Sequence, residues 1–328
     1  MAFHETIAAD EATRFEGYGA ELAALQKARG GAPKRALHFK AHAGVVAHLT
    51  VNAAGPVHDG VFAEAGQVFQ AYVRFSNGSS RGQSDKEADV RGFALKLVGV
   101  EGKKLIPGLE QEMTQDFLFI NDPALPFRDP EEFMAFVRAA QGGPALLVPK
   151  LFKGVGLRRG FAILARALSS PKVASYATHA FHTAAPILLA GSAAKLGLFP
   201  IPSPIFPATQ GAGALREDLL ARLRQGPLSW SLRAQRFVDD ISTPIEDASV
   251  VWNAPWVELG TLTIPKQDPD SPRGLEIAAL VESLSFDPWH AIEAHRPLGA
   301  IMRARAVAYR HSVLGRSAEP EPKTVLGL

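Results

Sequence analysis

The chain has 328 residues, of which 47% are hydrophobic and 21% charged, a composition typical of a globular protein with a sizeable core. Its formal net charge of +2 argues against a general nucleic-acid-binding protein. The absence of cysteine excludes disulfides, thiolate catalysis and iron–sulfur clusters. The N-terminal segment carries acidic residues and no apolar core, so we expect no secretory signal and a cytoplasmic protein.

Alternating apolar and polar residues predict β-strands in the first third of the chain. They are separated by clusters of Gly, Asn, Ser and Asp, and they cover residues 45–51, 68–76, 91–98 and 115–121; the alternation of the first extends back to His38. The middle of the chain has a different pattern. An Asp-Pro-Glu-Glu start predicts a helix over 128–141.

Two further segments of the middle region are apolar. Residues 146–168 are interspersed with Lys and Arg, and we expect core helices whose cations reach water. A lipid substrate or a membrane surface is the alternative for this segment. Residues 173–194 contain no Asp, Glu, Lys or Arg but are too polar to span a membrane, so we expect a buried helix or helix pair.

The last third of the chain again predicts strands and ends on a helix. A short amphipathic helix is predicted at 214–225, and strands follow at 228–238, 256–264 and 277–284. A long helix is predicted from 289 to 316, with 295–299 as a possible break. Residues 317–328 are expected to form an extended surface arm.

Seven or eight short strands at close spacing favour antiparallel pairing and are enough to close into a barrel. We therefore predict an α+β fold, in which a closed antiparallel β-barrel of about eight strands carries helical insertions and a C-terminal helix. No repeat or clear linker divides the chain. A single domain over 1–328 is expected, with an N-terminal arm at 1–30 and the tail at 317–328.

Two histidines four residues apart, His38 and His42, resemble a metal-binding pair. On a strand, residues four apart lie on one face but are separated by roughly 13 Å. Because zinc–nitrogen bonds are about 2 Å long, one ion does not hold both imidazoles. We expect no shared metal ion, and His42 is interpreted as a bystander.

Read together, several segments resemble the haem-binding core of the catalase superfamily. Three of them lie in the first strand group and two on the final helix. They are Arg35-Ala-Leu-His38, Arg74-Phe75-Ser76, Arg91-Gly-Phe-Ala-Leu-Lys96, the R-x-x-x-Y spacing from Arg305 to Tyr309, and Arg316. The final helix is then a haem-ligating helix.

The resemblance implies haem b as the cofactor, with Tyr309 as the axial ligand of its iron. A tyrosine ligand must lose its proton, and Arg305, one helical turn away, supplies a charge that favours the phenolate. Forked guanidinium groups suit the haem propionates. The resemblance gives that role to Arg35, Arg74 and Arg316.

It also implies residues on the other haem face. His38 would move a proton between the two peroxide oxygens, and Ser76 would fix its tautomer. Phe127 is a candidate for stacking on the haem.

The sequence departs from catalases where they carry a distal asparagine. Met113 or Thr114 occupies that position, and Gln115 is the candidate substitute. The chain is also shorter than typical catalases and is expected to lack their C-terminal additions. Both features favour the small catalase-related peroxidases over true catalases.

We therefore expect a haem peroxidase that reduces hydrogen peroxide or organic hydroperoxides with a small organic electron donor, with weak or no catalase activity. One alternative is a haem enzyme that rearranges hydroperoxides, similar to allene oxide synthases. Another is a non-enzymatic haem-binding protein. A homo-oligomer is possible on this sequence, and membrane association is an open alternative.

Overall fold

The computed structural model describes residues 3–28, 35, 37–52, 55, 57–141, 143–169, 172–204, 209–316 and 318–328. Nine strands form one sheet in it. They are β1 (Ala41–Val51), β2 (Val68–Asn77), β3 (Arg91–Val98), β4 (Thr114–Ile120), β5 (Phe181–Thr183), β6 (Ile187–Leu189), β7 (Ser192–Pro200), β8 (Leu228–Arg236) and β9 (Trp256–Ile264).

Eight of these strands close into a barrel. The order is β5-β4-β3-β2-β1-β9-β8-β7, and β5 pairs back with β7 to complete the ring. Every pairing in the sheet is antiparallel, and β6 adds to β7 outside the ring. The predicted closed antiparallel barrel of about eight strands is confirmed.

The alternation of side chains divides the barrel wall into two packed faces. Val45, Val73 and Leu95 point into the large central core. Their neighbours Val46 and Tyr72 point outward and pack in a second cluster, which α6 completes. Because both faces are covered, the strands have few exposed side chains.

Seven helices surround the barrel in the described part of the chain. They are α1 (Glu11–Ala28), α2 (Pro130–Ala140), α3 (Pro144–Val155), α4 (Leu157–Leu168), α5 (Ala214–Gln225), α6 (Pro272–Ser283) and α7 (Ala300–Arg316). Helix α1, within the expected N-terminal arm, packs along α7. No described helix combines the length and apolarity that crossing a bilayer requires.

The predicted strand at 277–284 is wrong, because this segment belongs to α6. Ser271 caps the helix by accepting from the Gly274 N–H, and Pro272 occupies its first turn. The apolar residues Ile277 and Val281 are buried at a spacing of one helical turn. A short apolar run fits both periods, and the upstream cap decides between them.

The buried helix or helix pair expected at 173–194 is also wrong. The segment forms a short 3-10 turn followed by β5, β6 and the start of β7. Ala190 and Gly191 join β6 to β7 with φ of 49° and 70°. Two consecutive positive φ values are typical of a tight hairpin turn.

The final helix is shorter than predicted and the tail is less exposed. Helix α7 begins at Ala300, after a break at the predicted 295–299. The tail folds back over the sheet, where Glu321 is buried and its carboxylate lies 2.6 Å from Lys96 Nζ. Asp116 Oδ1 lies 2.7 Å from the same ammonium, and burial raises the pKa of Asp116 to about 8. The expected surface arm is therefore anchored by a buried ion cluster.

Candidate functional site

His38 does not lie on the predicted strand, because β1 begins only at Ala41. Its backbone has a φ of 55°, a conformation that non-glycine residues adopt uncommonly. The His38 N–H donates to the Gly78 carbonyl at 3.1 Å, and Arg74 Nη2 donates to the His38 carbonyl at 3.0 Å. Two hydrogen bonds thus hold a strained residue in place, a feature that is common at functional sites.

The imidazole of His38 is fixed by two neighbours on the outer face of the sheet. Its Nδ1 lies 3.1 Å from Ser76 Oγ, as the resemblance implied. A Cβ atom at Gly92 would lie 2.6 Å from His38 Nδ1 and 2.7 Å from Ser76 Oγ. The absence of a side chain at Gly92 therefore creates the space in which these two groups meet.

We expect Gly92→Ala to displace the imidazole and to destabilise the fold by about 1–3 kcal/mol, since overpacking forces neighbours to move. Urea unfolding measures the loss. Gly226→Ala is the matched control, because no heavy atom lies within 4 Å of its added Cβ. Equal stability of the two variants would contradict the close packing of His38 on Gly92.

His42 is not a solvated bystander. It is buried, and its Nε2 lies 2.9 Å from Asp85 Oδ1 while its Nδ1 lies 3.0 Å from the Tyr176 hydroxyl. Burial lowers the pKa of His42 to about 4. The two histidines have separate partners, and no group of three or more potential His, Asp or Glu metal ligands occurs in the described ranges.

The arginines Arg35 and Arg74 converge on one carboxylate, Glu282 at the end of α6. Arg35 Nη1 donates to Glu282 Oε1 at 2.8 Å, and Arg74 Nε donates to Glu282 Oε2 at 2.8 Å. Arg35 Nη2 also donates to the Leu284 carbonyl at 2.6 Å. The side chain of Arg74 is buried, whereas that of Glu282 is 43% exposed. The two guanidinium groups and the carboxylate thus form one ion cluster at the end of α6.

On α7, Arg305 Nη2 donates to the Tyr309 hydroxyl at 3.0 Å. The guanidinium carbon lies 5.2 Å from the centre of the Tyr309 ring. The predicted contact across one helical turn is therefore present. The backbone of Arg316 ends α7, but its side chain lies outside the described residues, so its predicted propionate role stays a prediction.

Electrostatics link the two halves of the site. Burial, followed by the positive charges of Arg74, Arg305 and Arg35, lowers the pKa of His38 to about 4. The imidazole is therefore neutral at physiological pH. The charge of Arg305 on α7 thus contributes to the low pKa of His38, and the same guanidinium donates to the Tyr309 hydroxyl.

Phe127 is not part of this group. Its ring packs between Phe133 and Phe136, at centroid distances of 5.6 and 5.2 Å, in the cluster beneath α2, α3 and α4. The structure therefore places it in a helical core.

Thr114 and Gln115, at or beside the position of the distal asparagine of catalases, form hydrogen bonds with residues of the C-terminal part of the chain. Thr114 Oγ1 donates to Glu321 and lies 2.5 Å from His290 Nε2. Gln115 Oε1 accepts from the Ile292 N–H at 2.9 Å. Gln115 therefore ties β4 to the segment before α7 instead of serving as the substitute amide.

Two residues of the site were missed by sequence reasoning. Glu282 lies in a segment predicted as a strand, so its position at a helix end was hidden. Gly92 was noticed only as part of a motif. The available signal was a glycine inside a predicted strand, because such a glycine often marks a place where another group approaches the backbone closely.

The donor set fits a haem. Two forked guanidinium groups already hold a carboxylate, which is the group that a haem propionate presents. A tyrosine with a cationic donor on its oxygen suits an iron ligand, and a neutral imidazole suits peroxide chemistry. These features define a candidate haem-peroxide site on the outer face of a closed barrel.

Comparison with known proteins agrees with this class. The Catalase family model matches residues 21–151. A catalase-like protein of Staphylococcus aureus is 35% identical over 85 residues, which are 26% of this chain and 16% of that protein. The catalase of S. aureus strain USA300 is also 35% identical over 85 residues, 26% of this chain and 15% of its own length.

Solved structures share the fold over nearly the whole chain. A fungal catalase superposes with a TM-score of 0.69 at 16% identity, covering 97% of this chain and 65% of that one. Catalase A from Saccharomyces cerevisiae gives 0.68 at 17% identity, covering 96% and 66%. This chain thus spans less than two thirds of each of these relatives. The Catalase family model therefore matches the first half of the barrel, and the chain has the fold of the catalases over nearly its whole length.

Proposed function

We propose that this protein is a haem-dependent peroxidase that reduces hydrogen peroxide or organic hydroperoxides with a small organic electron donor. The observation that carries the proposal is the His38–Ser76 pair, a neutral imidazole with one nitrogen bound, in the same chain as the Arg305–Tyr309 contact on α7. A site that only stored haem would need the ligand but no proton carrier.

Tyr309 would hold the iron, and Arg35 and Arg74 would hold propionates. Bound haem supplies the iron that takes up the oxidising equivalents of peroxide. Glu282 holds both arginines in place through hydrogen bonds of 2.8 Å to each. Arg305 donates to the Tyr309 oxygen and so favours the negative charge that binds ferric iron.

His38 would perform the proton transfer that peroxide cleavage needs. Ser76 occupies Nδ1 and leaves Nε2 as the nitrogen that takes a proton from one peroxide oxygen and returns it to the departing one. The strained backbone and Gly92 hold this ring in one orientation. Such positioning supports a catalytic role over a structural one.

The peroxidase is favoured over disproportionation because a second peroxide must also be held for catalase activity. Thr114 has no side-chain amide, and its hydroxyl donates to Glu321. Gln115 accepts from the Ile292 N–H through Oε1, and its Nε2 donates to the Asp116 carbonyl at 3.4 Å. Haem-loaded protein tests the assignment when it is given hydrogen peroxide with and without a phenolic donor. Donor oxidation with little oxygen release supports it, whereas rapid oxygen release without a donor contradicts it.

A further assay distinguishes a peroxidase from an enzyme that rearranges hydroperoxides. A fatty-acid hydroperoxide is supplied without any electron donor, and the products are analysed. Conversion to an epoxide without a donor would overturn the peroxidase proposal.

The pH dependence of peroxide reduction should reflect the low pKa of His38, about 4 against the ordinary 6.5. A lowered pKa keeps the base neutral above that value, so the rate should stay constant from about pH 9 down to about pH 5 and fall only near pH 4. Stopped-flow measurement of the haem-loaded protein with peroxide tests this. In Arg74→Gln the removed charge should move the acid limb toward higher pH. An inflection near pH 6.5 in the unaltered protein would contradict the assigned base.

A further inference from the structure

Helices α3 and α4 form a hairpin that is only half buried. Gly156, with a φ of 79°, is the single residue between them. Leu151 and Ile163 are fully buried against α2, and the Phe152 ring packs directly over Gly160. One side of the hairpin is thus packed against the rest of the protein. The helices predicted for residues 146–168 are core helices on that side alone.

The other side of the hairpin exposes large apolar residues. Leu157, Phe161 and Leu168 are 65%, 62% and 87% exposed. At about 100° per residue, their side chains lie within roughly 40° of one another around the α4 axis. Leu146 and Val148 add exposed apolar area on α3. Scattered exposed apolar residues are normal, but a continuous helical stripe marks an interaction surface.

The hairpin is also strongly basic. Residues 143–172 contain six Lys or Arg and no Asp or Glu. Two of the six, Arg159 and Arg166, pair with carboxylates outside the hairpin. Lys150, Lys153 and Arg158 are exposed and have no carboxylate partner among the residues that the structure describes. An apolar stripe bordered by unpaired cations is the pattern of helices that lie in a membrane interface.

We propose that the α3–α4 hairpin docks on the surface of an anionic lipid bilayer. The apolar stripe of α4 enters the boundary between headgroups and acyl chains, and the unpaired cations contact lipid phosphates and carboxylates. Charge complementarity selects this partner over an uncharged protein surface. Because the buried side of the hairpin stays packed against α2, only the exposed side enters the bilayer, and binding is peripheral.

Vesicle flotation of the full chain at about 0.15 M salt tests the proposal. The protein should float with vesicles of phosphatidylserine and phosphatidylcholine and remain in solution with phosphatidylcholine alone. The double variant Leu157→Ser/Phe161→Ser should bind at least about tenfold more weakly, because two large apolar side chains are lost. Each substitution among Lys150→Gln, Lys153→Gln and Arg158→Gln should weaken binding about fivefold.

Matched controls use exposed residues elsewhere. Ile241→Ser removes an apolar side chain that is 89% exposed on the loop after β8, and Lys103→Gln/Lys266→Gln removes two exposed cations. These variants should bind vesicles as the unaltered chain does. No flotation with anionic vesicles, or unchanged flotation of Leu157→Ser/Phe161→Ser, would overturn the proposal. A dimer in sedimentation velocity that this double variant dissociates, without lipid binding, would instead assign the face to a second copy of the chain.

Discussion

Tyr309→Phe should abolish stable haem binding. The variant keeps the ring packed under Arg305 but removes the oxygen that accepts its hydrogen bond and would bind the iron. Loss of a supporting group around a metal ligand costs about 10–100-fold in affinity, so loss of the ligand itself should exceed about 100-fold. Haem titration followed by absorbance measures this directly, and peroxide reduction should fall in parallel.

The control for this variant is Tyr18→Phe, which removes a hydroxyl on α1 that lies 3.5 Å from Glu131 of α2. It should bind haem as the unaltered chain does. Circular dichroism must show that both variants are folded. If Tyr309→Phe bound haem with unchanged affinity and spectrum, the iron ligand would be another residue.

His38→Gln should separate catalysis from haem binding. Because His38 is assigned to proton transfer and not to haem retention, haem affinity should change little while peroxide reduction falls about 10²–10⁴-fold. Single-turnover mixing of haem-loaded protein with peroxide measures the affected step. His48→Gln, at a half-buried position of β1, is the matched control.

This variant also decides between an enzyme and a haem carrier. Full peroxide reduction in His38→Gln would remove the proposed mechanism even if haem stayed bound. Retained haem with a large loss of rate would be the result expected for an enzyme.

Most of the barrel could be predicted from sequence because its strands alternate on two faces that pack differently. Val45 and Val73 face the core, and their outward neighbours face α6, so the period of two is visible in the residues. The wrong secondary-structure predictions lie in segments whose residue pattern fits both a strand and a helix. Residues 277–284 suit a strand or a helix equally, and residues 173–194 contain two short strands and the start of β7 in a run without Asp, Glu, Lys or Arg.

The site was predictable as far as it lies in continuous motifs. The Arg305–Tyr309 contact follows from a spacing of one helical turn, and the His38–Ser76 contact was implied by the resemblance of two short motifs. Glu282 was not predictable, because its contacts with Arg35 and Arg74 join residues more than 200 positions apart. The strain at His38 was equally hidden, since strand periodicity placed it on a regular strand and not in the bend before β1.

We propose that this barrel binds haem through Tyr309, with Arg35 and Arg74 holding the propionates. Titration of the purified chain with haem, followed at the Soret band, tests this binding. We expect saturation at one haem per chain, with a band that Tyr309→Phe lacks. A chain that gives no Soret band after haem is supplied, or the same band with and without Tyr309, would contradict it.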